Sequence, residues 1–143
     1  MYMNLNFKKL HPDAKVPVYA HSHDAGFDMY ATEDVHFEPG AKMRVSTGIA
    51  LEIPDGYVGL VWDKSSLSFN HGLKTVGGVI DAGYRGEIIM GLYNFSDTPY
   101  TIKKGDKVAQ MLIQKIEHVS FSEVEALSDT TRGDGGWGST GKS

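Results

Sequence analysis

The sequence predicts an all-β domain, a Greek-key barrel or a jelly roll. Three observations predict it. Apolar residues alternate over short runs, Pro, Gly and Asp punctuate those runs, and no stretch sustains the 3.6-residue period of a long helix. Val35-His36-Phe37 alternates into the turn Glu38-Pro39-Gly40, and Met43 to Thr47 alternates out of it. Ile49, Leu51 and Ile53 share one face before Pro54-Asp55-Gly56, after which Tyr57 to Trp62 returns. Gly86 to Phe95 and Val108 to Ile116 are further apolar stretches, with Lys103-Lys104-Gly105-Asp106 as a turn between them. The one helical expectation is brief. Ser65 or Ser66 caps a turn or two through Phe69, and Gly72 stops it.

The 143 residues suit one domain, large enough to bury roughly two thirds of its unfolded surface without crosslinks. There are no cysteines, which excludes disulfide scaffolds, thiolate zinc sites and cysteine nucleophiles and suits a reducing compartment. Fourteen Lys plus Arg against eighteen Asp plus Glu leave a net charge of −4. That field has the wrong sign for general binding to nucleic acid or anionic membrane, though a phosphate can still be held locally. No apolar run approaches the roughly twenty residues of a bilayer span, and Met1 to Asn6 does not read as a signal peptide. A soluble, cytoplasmic single domain without nucleic-acid or membrane partners is the expectation.

Seventeen glycines are many for this length, and five fall at 133, 135, 136, 138 and 141. From Thr130 the chain has almost no apolar side chain except Trp137, so residues 130–143 are expected to be a flexible arm on a domain of residues 1–129. Arg132, the glycine amides, Ser139, Thr140 and Trp137 are also the parts of a phosphate clamp with an aromatic plate, and both readings stand. Gly136 to Ser143 matches the G-x-x-x-x-G-K-[ST] expression. That motif works between a strand and a helix; the sequence stops at Ser143, and a P-loop NTPase is not expected.

Gly77-Gly78-Val79-Ile80-Asp81-Ala82-Gly83-Tyr84-Arg85-Gly86 reads as a β-hairpin. It is either an ordinary turn, or one that lets a ligand approach main chain at Gly77 and Gly78 and carries Asp81 and Tyr84 at its tip. Lys64-Ser65-Ser66-Leu67 is either a plain helix cap or an anion-friendly spot with hydroxyls and a cation. Gln110, in an otherwise apolar strand, faces outward or touches a ligand. Asp28, a single acid in Ala25 to Ala31, invites a partner or a hydrated cation. The six histidines show no helical metal spacing, and His21-Ser22-His23-Asp24 reads as a solvated loop.

Together these segments resemble the dUTP diphosphatase (dUTPase) family of the trimeric, all-β type. Five motifs define that family, and versions of all five occur in order: Ala25 to Ala31, Asp63 to Leu73, Gly77 to Gly86, Gly105 to Leu112, and Arg132 to Gly141. The resemblance implies a jelly-roll β-barrel, a homotrimer whose arms close neighbouring sites, and hydrolysis of dUTP to dUMP and pyrophosphate assisted by Mg²⁺. It implies Asp81 as the base that activates water against the α-phosphorus and meets the 3′-hydroxyl. A carboxylate is a weak base, so positioning and charge neutralisation carry most of the acceleration. It places Tyr84 against the deoxyribose, and main chain at Gly78, Val79, Ile80 and Ile89 against uracil. Lys64, Ser65, Ser66 and Gln110 fall at the α- and β-phosphates, with Ser65 at the leaving oxygen. Arg132, Gly138, Ser139 and Thr140 clamp the γ end, and Trp137 stacks on the base. Asp28 is implied to hold water on the magnesium.

Three positions depart from the family pattern. Lys64 stands where arginine is usual and lacks the bidentate fork. Trp137 stands for phenylalanine. Thr75 falls about where bacterial relatives often place an asparagine amide against uracil. The rival in the same fold is a dCTP deaminase-like enzyme, which needs a glutamate at the position of Gly91. A rival of another class is a regulatory module that binds deoxyuridine nucleotides without turnover, for which Asp81 has no use.

Overall fold

Alternating burial organises the chain into strands. The computed structural model describes residues 2–141, so Lys142 and Ser143 of the expected arm lie outside the described residues. In order, the elements are β1 (Asn6–Lys9), β2 (Phe27–Tyr30), β3 (Val35–Phe37), β4 (Lys42–Glu52), β5 (Tyr57–Trp62), α1 (Ser65–His71), β6 (Leu73–Val76), β7 (Val79–Ile80), β8 (Glu87–Asn94), β9 (Tyr100–Ile102) and β10 (Lys107–Lys115). Every ladder is antiparallel. One sheet has the order β1-β4-β8-β6, the second β2-β10-β5-β7, and β3 pairs with β9. On β8, Ile88, Met90 and Leu92 turn inward and Ile89 outward, as a strand with one buried face requires. These residues meet Phe37, Val45, Ile49, Met29 and Met111 in a single core. The expected all-β fold is present, with one short helix. Among the described residues no helix is long and apolar enough to cross a membrane.

The structure corrects two local expectations. The expected hairpin from Gly77 is not one, because β7 pairs with β5 and β8 with β4 and β6. The chain crosses from one sheet to the other at Gly77 and Gly78, whose φ values are 78° and 120°. These backbone angles favour glycine. Gly78 also lies so close to β5 that a Cβ there would sit 3.1 Å from the Val61 carbonyl oxygen. The helix cap is the second correction. Lys64, not a serine, occupies the N-cap and makes no side-chain capping bond. Ser65 and Ser66 therefore stand in the first turn with hydroxyls not used for capping. Gly72, in the left-handed region, ends the helix as expected.

Candidate active site

The end of β5 and the middle of β10 face each other, with Gln110 opposite Trp62. Beyond that pair the chain leaves the ladder, and Asp63, Lys64, Ser65 and Ser66 line a cleft of about 630 Å³ together with Gln110 and Gly26. Four of the expected phosphate-binding residues are thus brought together by one sheet end. Gln110 Nε2 donates to the Asp63 carbonyl at 2.9 Å. A Cβ on Gly26 would run into the Gln110 carboxamide, so glycine there leaves room for this side chain.

Asp28 lies on β2 and is 2% exposed. Its Oδ1 accepts a hydrogen bond from Lys64 Nζ at 2.6 Å. Lys107 Nζ lies 2.8 Å from Oδ2, an ion contact without hydrogen-bond alignment. Burial pushes the Asp28 carboxyl up, but the two lysines outweigh it and hold it below the usual carboxylate range. The partner anticipated for this lone acid is a pair of cations. Asp28 as a holder of magnesium-bound water finds both its oxygens already facing ammonium groups. The described residues gather no group of three or more His, Cys, Asp or Glu fit for a metal.

Thr75 is drawn inward. Its N–H and Oγ1 both donate to Asp63 Oδ1, at 2.8 and 2.7 Å, while Lys74 Nζ lies 2.8 Å from Oδ2. Burial raises the Asp63 carboxyl, and Lys74 and Thr75 more than offset this, leaving it lowered. The Thr75 hydroxyl proton is therefore engaged within the chain rather than offered to a base. Asp63, Lys74 and Lys107 take part in this site although sequence reasoning passed over them; an acid beside the Lys-Ser-Ser run was the one available signal.

Asp81 and Tyr84 lie on the loop between β7 and β8. The Asp81 carbonyl accepts the Tyr84 N–H at 3.1 Å, which closes the turn, and the Asp81 carboxylate is exposed. Tyr84 donates its hydroxyl to the Glu87 carbonyl at 2.8 Å, which lays the ring over Gly86. Gly78 accepts from the Val61 N–H at 2.8 Å. Because β6 leaves β8 at the pair Val76–Gly91, that edge of β8, toward Ile89, has no strand beside it among the described residues. Gly91 itself is pressed by Val76, whose Cγ2 and carbonyl oxygen would lie 3.0 Å from any added Cβ. A glutamate for deamination has neither side chain nor space there.

None of Gly78, Val79, Ile80, Asp81 or Tyr84 lines the cleft, and neither does any described arm residue. β10 ends at Lys115, and the last hydrogen bond to the barrel runs from the Ile116 N–H to the Gly56 carbonyl at 2.9 Å. From residue 117 to 141 the described hydrogen bonds are local, such as Arg132 Nε to the Gly135 carbonyl. Trp137 is fully exposed, and Arg132, Gly138, Ser139 and Thr140 are exposed with it.

The cleft can take an anion with several oxygens, and the loop can offer a base; hydrolases of phosphate anhydrides are the class that needs both. A family model described as dUTPase matches residues 12–141. Deoxyuridine 5′-triphosphate nucleotidohydrolase from Thermobifida fusca is 46% identical over 142 residues, covering 97% of this chain and 79% of that protein. The same enzyme from Corynebacterium glutamicum is 49% identical over 137 residues, 94% of this chain and 92% of its own length. A mutant Staphylococcus bacteriophage 80alpha dUTPase solved with dUpNHpp matches with a TM-score of 0.91 at 31% identity, over 97% of this chain and 99% of that one. The chain belongs to the dUTPase family, the enzymes that hydrolyse dUTP to dUMP and pyrophosphate.

Proposed function

We propose that dUTP is hydrolysed at sites shared between copies of a homotrimer. Asp81 of one copy works on a nucleotide whose phosphates lie in another copy's cleft, and a third copy's arm closes the site. The observation that carries this is a register. Ile80 pairs with Gly59, so Asp81 runs on beside Val58, while Ser65 lies three residues beyond the other end of β5. The four steps from Val58 to Trp62 alone span about 13 Å at ~3.3 Å per residue. One chain's Asp81 and Ser65 therefore do not meet on one α-phosphate.

In the shared site, Lys64, Ser65, Ser66 and Gln110 hold the α- and β-phosphates, and Ser65 donates to the leaving oxygen. The exposed Asp81 carboxylate orients a water and takes its proton. The water oxygen bonds to the α-phosphorus, the bond to the bridging oxygen breaks, and pyrophosphate leaves. Tyr84, pinned by its bond to the Glu87 carbonyl, packs against the sugar and leaves no room for a 2′-hydroxyl. Main chain at Gly78, Val79, Ile80 and Ile89 reads uracil. Thr75, with its donors on Asp63, contributes only an acceptor. From residues 130–143, Arg132, Gly138, Ser139 and Thr140 grip the γ-phosphate and Trp137 covers the base. Members of this family are generally Mg²⁺-dependent. The described residues build no carboxylate cage for the ion, and Asp28 does not fit it while both lysines remain in place. Mg²⁺ is therefore read as arriving with the triphosphate, as part of the substrate.

Mixing two inactive variants tests the sharing. Asp81→Asn and Ser65→Ala homotrimers are each expected to lose most turnover. Randomly mixed trimers are expected to regain about a quarter of wild-type activity, because each site draws the two residues from different copies. No recovery on mixing would show that a single chain supplies both.

A further inference from the structure

We infer that Asp63 is a positioning residue for the substrate phosphates: its carbonyl aims the Gln110 carboxamide at the cleft, and its carboxylate locks that carbonyl against β6. The inference rests on reading Gln110 as a phosphate contact. Asp63 follows the last ladder pair between β5 and β10, so its carbonyl is free to accept from a side chain instead of a strand. The acceptor is a carbonyl, so the nitrogen end of the Gln110 amide must face it. One N–H is used, and the second remains for a ligand oxygen. The other side of the carboxamide rests on the space that Gly26 leaves open. The Asp63 carbonyl therefore holds the amide nitrogen of Gln110 before substrate arrives, which is what a preorganised donor requires.

What holds Asp63 is equally defined. Its Oδ1 takes two donors from Thr75 and its Oδ2 faces Lys74. All three contacts come from adjacent residues on β6, a strand of the other sheet. A carboxylate lining an anion cleft would repel phosphate if its charge were free; here Lys74 faces it and both its oxygens turn to β6. The charge thus serves to fix the backbone immediately before Lys64, Ser65 and Ser66. Freeing residue 63 would loosen Gln110 and the start of α1 together.

Steady-state kinetics on dUTP, with thermal unfolding alongside, tests this. Asp63→Ala is expected to raise KM about tenfold with kcat changed less than about threefold. Asp63→Asn is expected to restore most of the loss, since its Oδ1 still accepts both Thr75 donors. Adding Asp63→Ala to Gln110→Ala is expected to raise KM by clearly less than Asp63→Ala does alone, because the Gln110 share of the effect is already lost. Independent effects in the double variant, or a lowered melting temperature with unchanged KM, would overturn the inference. Should Asp63→Ala fail to fold, Lys74→Met removes the cation facing Oδ2 and permits the same comparison with Gln110→Ala. The two readings fail differently. An unchanged KM in Gln110→Ala removes the phosphate contact itself, whereas a raised KM there with a normal one in Asp63→Ala removes only the positioning role.

Discussion

Lys64 Nζ sits 2.6 Å from Oδ1 of Asp28, a carboxylate 36 residues away in sequence. The pair fixes a flexible ammonium at the rim of the cleft by anchoring it to a buried strand. With Lys107 on the other oxygen, two cations share one anion, and the cluster keeps a net positive charge beside the cleft proposed to hold the triphosphate. Lysine lacks the planar fork of arginine, and the buried acid supplies some of the missing direction.

Acid should dismantle this cluster. Asp28 and Asp63 both hold pKa values below normal in the fold, burial pushing them up and their lysine and threonine partners pulling them further down. A carboxyl with a depressed folded pKa stabilises fully above its unfolded value, near 3.9, and that stability is lost as pH falls through the folded value. Lys107, raised by Asp28, stabilises below its unfolded pKa near 10.4 and loses this as pH rises through its folded value. Denaturant titrations should show stability falling steeply below about pH 4, with a shallower fall in Asp28→Asn. That variant should also lose about 2 kcal/mol at pH 7, at the modest end because Lys107 can turn to solvent. An unaltered acid slope would assign the lowered stability elsewhere.

Gly78→Ala should be costly in both stability and binding. The residue has a φ of 120°, and the new Cβ would meet the Val61 carbonyl. A loss of about 1–3 kcal/mol is expected, measured by thermal or denaturant unfolding. Because β7 hangs on this crossing, KM for dUTP should rise more than kcat falls. Wild-type values for both would mean that the crossing tolerates ordinary backbone.

Removing residues 130–143 should separate folding from catalysis. The arm residues described make no hydrogen bond to the barrel, so the nucleotide-free melting temperature should move by less than ~2 °C. Turnover should fall by roughly 100-fold or more as the γ-phosphate and base lose their cover. Trp137→Phe should retain activity and Trp137→Ala should raise KM, since only the former keeps a ring to stack. Undiminished kcat/KM in the truncated protein would deny the arm its role.

Local physics made much of this protein legible from residues alone. Period-two alternation marked β3 and β4, apolar runs marked β8 and β10, and Pro, Gly and Asp marked the turns, including the one from which β5 returns, because side-chain direction in a strand and allowed backbone angles depend on near neighbours. The helix at Ser65 and its stop at Gly72 were readable for the same reason. The grouping of Lys64, Ser65, Ser66 and Gln110 came from the resemblance to the dUTPase family and not from the residues alone. Pairing was not legible. Val79 and Ile80 looked like half of a hairpin with the strand that follows, yet they join β5, a choice made by the competition of whole sheets for edges. Nor could sequence show that Asp28 meets two lysines, that Thr75 turns its donors to Asp63, or that Asp81 lies far along β5 from Ser65. Each of these depends on contacts between residues distant in the chain, and such contacts exist only once the sheets have closed around their core.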